Sequence, residues 1–373
     1  MTFTKRVLIK NISAISLLLF LSSGCGTSGS SGDKKKVETP VSLPIVTQIT
    51  LPNTTVYKLP DEITPQQAVA EMKIGINLGN TFDAPHEGDW ALAAKESYII
   101  EFKKAGFNHV RIPVTWHEHT QQEAPYEIDN EFLIRVEQVV DWALAQDLYV
   151  ILNAHHESWI KENYQDQKLK NRIDSIWIKI AEHFKEKPAK LMFEILNEPN
   201  GMTEGEVNHV NQRILSIIRN ESPNRLVMFS GNGFTPIDSL LAINIPDTVD
   251  KFLIGNFHSY DPWAFAGQCQ QSWGSDEDKS NLRQIYQLAS DWSSVNQIPV
   301  MVNEFGAAKF DFTQPENVCD LTERLAYISH HVSLADEFGI AASFWDDGGS
   351  FSTYNRHDNT WGPEKDILVS KNK

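Results

Sequence analysis

Eight short apolar runs, set in alternation with longer amphipathic stretches, constrain this chain more than any other feature. They read "KIGINLG", "HVRIPV", "LYVILNA", "LMFEILN", "LVMFSG", "FLIGNFH", "PVMVNEF" and "AASFWDD". Patterns of helical period lie between most of them, for example "NEFLIRVEQVVDWALAQ" and "LTERLAYISHHVSLADEFG". A β-then-α order repeated eight times points to an α/β fold closed into a single (β/α)8 barrel. An open doubly wound sheet is the alternative, but it usually has fewer strands and a Gly-rich first turn. Here the first turn, "NLGNTFDAP", is no GxGxxG and offers no phosphate cradle. At 373 residues the chain is long for one compact domain, and a barrel of about 250 residues or more absorbs most of it.

The polar residues of these runs gather at their C-terminal ends. Arg111 lies near the close of the second, His155 and His156 follow the third, and Asn197 and Glu198 follow the fourth. His258 and Tyr260 follow the sixth, Glu304 the seventh, and Trp345, Asp346 and Asp347 the eighth. In a parallel barrel all these ends meet at one rim, where barrel enzymes hold their sites. Glu198 and Glu304 then face each other from strands four and seven. Two facing carboxylates suit glycosidic bond cleavage: one donates a proton to the leaving oxygen, the other acts as base or nucleophile at the anomeric carbon. Arg111 and Tyr260 can hold the ionised partner. A pair of rim glutamates each tied in a salt bridge is the alternative.

The net charge of −16 repels nucleic acid phosphates and anionic membranes and suits a neutral or cationic partner. The N-terminus reads as an export signal: Lys5, Arg6 and Lys10, then the apolar "ISAISLLLFL", then "SSGC". That apolar run is too short for a permanent span, which needs about 20 residues. Cys25 is the expected lipidation site of a bacterial lipoprotein, although Ser22 stands where such signals more often carry Leu; a plain secretory signal is the alternative. Loss of residues 1–24 leaves 30 basic against 49 acidic residues, a balance of −19. Residues 25–60, rich in Gly, Ser, Lys and Pro, read as a flexible tether, and 61–373 as one catalytic domain. The expected place is the cell envelope or outer membrane, held by the lipid, or otherwise the medium. Nothing in the sequence asks for a second subunit, so a monomer is expected.

"RIPVTW", "AHH", "LNEP", "HSYDPW", "NEFG" and "SFWDD", in this order, resemble glycoside hydrolase family 5, a retaining clan built on the TIM barrel. The opening "INLGNTFDAPHEGDW" and "WGS" at 273–275 are most similar to its bacterial endoglucanases, and the resemblance spans roughly 70–350. It implies that Glu198 is the acid/base and Glu304 the nucleophile. It further implies that Asn197 bonds the sugar 2-hydroxyl, that Arg111 and Tyr260 orient Glu304, and that His258 lies near Glu198. His155, with His156 as a companion, matches the site histidine, Trp345 the aromatic platform, and Asn80 and Asp83 positions that touch sugar hydroxyls. No cofactor is implied. The implied substrate is a neutral polysaccharide, cut internally at β-1,4-glucosidic bonds as in cellulose, with mannan, glucomannan or xyloglucan as alternatives. No long insertion walls off one end of the cleft, which suits endo action.

Sugar faces are apolar and stack on tryptophan. Trp90, Trp116, Trp159, Trp263 and Trp273 fall in rim-side loops, and some are expected in the cleft; Trp177 and Trp292, within helical patterns, are assigned to the core. A metal-dependent barrel hydrolase would normally carry HxH on its first strand, and "GINLG" has none. "HEH" at 117–119 and "HH" at 330–331 read as solvated surface, so no metal site is expected. A non-catalytic carbohydrate-binding lipoprotein would keep the aromatics and lose the acids, and both are kept. Glu194, four residues before Glu198, should point into the barrel below the cleft as a structural group with an unnamed partner. Cys269 and Cys319 either pair or remain reduced in their loops.

Overall fold

The structure, a computed structural model, describes residues 63–372; the signal segment, Cys25 and the 25–60 tether lie outside them. Eight strands form the ring: β1 (Ile74–Asn77), β2 (His109–Ile112), β3 (Tyr149–Asn153), β4 (Leu191–Glu194), β5 (Val227–Phe229), β6 (Leu253–Ser259), β7 (Val300–Phe305) and β8 (Ala341–Phe344). All neighbours pair in parallel, and β1 closes the ring on β8. Each strand falls within one of the eight runs, except that β6 continues one residue further, to Ser259. Every residue of these eight strands is buried, because the ring packs its outer face on helices and its inner face on itself; hence the near-continuous apolar runs.

Alternation sorts the side chains into two layers. Val110, Val150, Leu152, Phe193, Val227 and Val302 belong to the large outer core against the helices. Tyr149, Ile151, Met192, Met228, Ile254, Met301 and Ala341 fill the barrel interior, where the helix Pro65–Met72 covers the N-terminal end with Ala68, Val69 and Met72. Gly75 is required in β1: a Cβ there would stand 2.3 Å from the His109 ring. The helices Glu204–Glu221 and Asp276–Asn296 both start at capping boxes, Thr203 with Glu206 and Ser275 with Asp278. Among the described residues no helix is long and apolar enough to cross a membrane.

One open alternative closes and two sequence expectations change. Cys269 and Cys319 are joined in a disulfide with Cα atoms 4.6 Å apart; their loops follow β6 and β7, which are neighbours in the ring, so they converge at the rim. His331 is not solvated surface. It lies on the buried face of the helix Leu321–Phe338, stacked on Phe305 at 4.9 Å, with Nδ1 2.9 Å from the Tyr286 hydroxyl. The 117–119 turn is partly buried too: His119 stacks on Phe132, and His117 Nδ1 receives a hydrogen bond of 2.6 Å from Arg172.

Candidate active site

Arg111, on β2, organises the C-terminal rim. Its guanidinium is fully buried and uses all five donors: Nε and Nη2 reach the two oxygens of Glu194 at 2.7 and 2.9 Å, Nη1 reaches Asn77 at 2.9 Å and Glu304 at 2.6 Å, and Nη2 also reaches Asn197 at 2.7 Å. Burial alone would lower its pKa, but Glu194 and Glu304 outweigh that and raise it. Asn197 Oδ1 is thus occupied, which turns the amide NH2 outward as a donor.

Glu304 faces this cluster because β7 is irregular. Ala342 and Phe344 of β8 pair with Val302 and Phe305, while Phe257 and His258 of β6 pair with Val302 and Glu304, so β7 carries one extra residue against both neighbours. Met301 lies inside, and Asn303 Nδ2 approaches Met228 Sδ inside the barrel at 3.5 Å. Strict alternation would therefore send Glu304 outward; the bulge turns it in. Glu304 Oε1 accepts from Arg111, and Oε2 accepts from the Tyr260 hydroxyl at 3.0 Å. Burial first, then the charges of Glu304 and Glu198, push the Tyr260 pKa well up, so the phenol keeps its proton and donates.

Glu198 lies past the end of β4, where the backbone turns through φ 38°, a conformation seldom seen outside glycine. Its side chain is 24% exposed against 7% for Glu304. One oxygen of each glutamate and a ring nitrogen of His258 all lie within 4.8 Å of one another. His258 Nδ1 is 2.9 Å from Glu198 Oε1 and 3.6 Å from Glu304 Oε2. Burial works against charge on this ring, yet the two carboxylates prevail and raise its pKa.

The floor beside the glutamates is aromatic. Trp345 and His155 stack with their ring planes nearly parallel, 4° apart, and centroids at 5.9 Å. Gly79 permits this, since a Cβ there would stand 2.9 Å from the Trp345 ring. Burial holds His155 well below the ordinary histidine pKa; Asn153 Nδ2 donates to its Nδ1 at 3.1 Å, which leaves the proton on Nε2. His156 is more open and meets Trp90 edge-on at 5.7 Å. Asp83 is buried, and its two oxygens accept the amides of Asn80 and Thr81 at 3.0 and 2.8 Å. Burial raises the Asp83 pKa to about 6. The donor atoms of Asp83, His155 and His156 also lie within 4.8 Å of one another; Asp83 spends its oxygens on its own loop, as Glu304 does on Arg111 and Tyr260.

Of the rim residues singled out, all but Asp346 and Asp347 come together around the two glutamates and the aromatic floor. Of the loop tryptophans, Trp90 and Trp263 are open, at 51% and 45% exposed; Trp116 and Trp273 are buried in the core, and Trp159 is half-buried beside His117. Trp177 is fully buried and Trp292 half-buried against the core. Glu194 points inward as expected, and its partner is Arg111. Asn77 and Asn153 were not singled out, although both are polar residues closing an apolar strand, the same signal that marked the others. Asp346 and Asp347 hold loops instead: Asp346 pairs with Arg356 at 3.2 Å, and Asp347 accepts the amides of Gly349 and Phe351.

Comparisons with known proteins agree with this fold. Residues 71–350 match the family model described as cellulase, glycosyl hydrolase family 5. Endoglucanase H of Acetivibrio thermocellus is 40% identical over 312 residues, covering 82% of this chain and 33% of that protein, so the chain spans about a third of that relative. A mutant of Thermotoga maritima Cel5A, solved with cellobiose, superposes with TM-score 0.77 at 29% identity over 82% of this chain and 99% of that one. The same Thermotoga protein solved with mannotriose gives TM-score 0.76 at 29% identity, over 82% and 98%. The chain belongs to the cellulase family, glycosyl hydrolase family 5.

Proposed function

We propose that this protein is an endo-acting β-1,4-glucanase that cleaves its polysaccharide by double displacement with retention of configuration. The observation that carries the reading is the separation of Glu198 and Glu304, with one oxygen of each within 4.8 Å of the other. Retaining pairs stand about 5–5.5 Å apart, and inverting pairs about 6.5–9.5 Å, to leave room for water. The two environments differ in the required sense. Glu304 is fixed by Arg111 and Tyr260, as suits a nucleophile; Glu198 is more open and, among the described side chains, is bonded only to His258, as suits a group that gives a proton and takes it back.

Glu304 attacks the anomeric carbon while Glu198 protonates the departing oxygen, giving a covalent glycosyl-enzyme. Glu198 then deprotonates a water that releases the sugar. The outward amide of Asn197 is placed for the 2-hydroxyl, and Trp345 and His155 form the floor for a pyranose ring. Asn80 and His156, at the open edge, and Asp83 through the loop it shapes, take the sugar hydroxyls. No metal enters the mechanism, and chelation with EDTA should leave turnover unchanged.

Likeness to an endoglucanase favours a glucan, which we take to be β-1,4-linked; the mannotriose complex of the Thermotoga neighbour keeps mannan and glucomannan as a second reading. Hydrolysis of a panel of β-glucans and mannans, with products sized, separates them. Glu304→Gln should fold normally and lose essentially all turnover; near-wild-type hydrolysis by that variant would remove the nucleophile assignment. We further place the protein in the cell envelope through a lipid at Cys25, which metabolic labelling with a fatty acid would test.

A further inference from the structure

Lys161 ends the one-turn helix Ser158–Lys161 in the loop after β3 and is only 8% exposed. Its ammonium donates to the carbonyl of His155 at 2.7 Å, a neutral partner rather than a carboxylate. Burying an ammonium without a contact ion pair is costly unless a nearby field compensates it. The Asn197 amide donates to the Ala154 carbonyl at 2.9 Å, so the His155 carbonyl that holds the ammonium lies beside the Asn197–Glu198 turn. The Lys161 carbonyl stands 3.7 Å from where a Cβ on Gly201 would be, so the residue packs against the turn that follows Glu198. Arg111 satisfies Glu194 and Glu304 by contact, while among the described side chains Glu198 is bonded only to His258.

We propose that Lys161 is a positioning residue for Glu198, its buried ammonium stabilising the negative charge that forms on that carboxylate during the first displacement. The inference rests on the acid/base reading of Glu198 above. In that step Glu304 forms the bond to the anomeric carbon and the bond to the leaving oxygen breaks, its electron pair staying on oxygen. The proton of Glu198 passes to that oxygen, so Glu198 becomes charged as the bond breaks. A cation held beside this turn favours that product of proton transfer over its start. Burial lowers the Lys161 pKa to about 8, and Glu198 heads the charges that oppose this, ahead of Glu157, Glu194 and Glu304. The ammonium is therefore still charged at neutral pH. His258, Glu304 and Tyr260 are the other charged or titratable groups that face Glu198.

The test compares kcat/KM on two aryl β-cellobiosides. Phenyl is a poor leaving group that needs protonation; 2,4-dinitrophenyl leaves without it. Lys161→Met should lose about 10- to 100-fold on the phenyl substrate, the scale of general-acid assistance, and stay within about threefold of wild type on the dinitrophenyl one. Lys161→Gln should show the same split, and it carries the test if the Met variant does not fold by circular dichroism. A purely structural role would lower both substrates alike, and that result, or wild-type rates on both, overturns the proposal. Glu198→Gln, run in parallel, should show the same split more strongly. Equal losses there would overturn the acid assignment itself, whereas equal losses in the Lys161 variants alone would overturn only the part given to Lys161.

Discussion

Arg111 occupies a position that no other side chain can fill. Five donors in a rigid plane meet four acceptor side chains, from β1, β4, the turn after β4, and β7. Lysine offers three donors on a single nitrogen and cannot reproduce the fork. Arg111→Lys should therefore leave Glu194 or Glu304 buried without its partner. The expected loss of stability is roughly 3–5 kcal/mol, as for other broken buried pairs. Misplacement of Glu304 should cost about 100-fold in kcat/KM. Urea denaturation and cello-oligosaccharide assays would measure the two effects separately. Glu194 gains its meaning in the same way. The run "LMFEILNEPN" marks one acid for the rim and one for the interior, but only the fold shows that a single guanidinium joins the interior acid to Glu304.

At the scale of elements, strands were more legible than what bends or ties them. Buried parallel strands announce themselves as continuous apolar runs, and their ends as the place where polarity returns. The extra residue in β7 has no such signature, because pairing against two neighbours defines it. The disulfide was equally silent, since Cys269 and Cys319 lie 50 residues apart and only ring order brings their loops together. Replacing both by Ser should cost about 2–5 kcal/mol, the usual range for a native bridge, seen as a lower melting temperature that reductant does not lower further.

His331 was readable in principle, since it falls at helical spacing from Arg324, Tyr327 and Ile328 on the buried face. Burial pushes its pKa down to about 3, and that of His109 to about 4. The unfolded chain takes up these protons below about pH 6.5, whereas the folded protein resists them. Their share of stability is complete above about 6.5 and is lost as the pH falls toward 3. His331→Gln, which keeps a partner for Tyr286, should flatten that acid slope. Unfolding curves at several pH values would show it, and an unchanged slope would remove His331 as its source.

At the scale of the whole molecule, a closed barrel turns sequence distance into proximity. Residues from 77 to 345 meet at one rim because eight parallel strands end there, which is why strand-end polarity was enough to assemble most of the site. Loop conformation was not legible to the same degree: among five rim-side tryptophans, two stand open and two are core. An acidic molecule with an open, aromatic-edged cleft suits a neutral polysaccharide, and the facing glutamates define what is done to it. The most direct test of that central claim follows the anomer first formed from a cello-oligosaccharide by proton NMR. Double displacement through Glu304 predicts the β-anomer first, with the α-anomer growing in slowly by mutarotation. The α-anomer as the first product would mean inversion and would contradict the account.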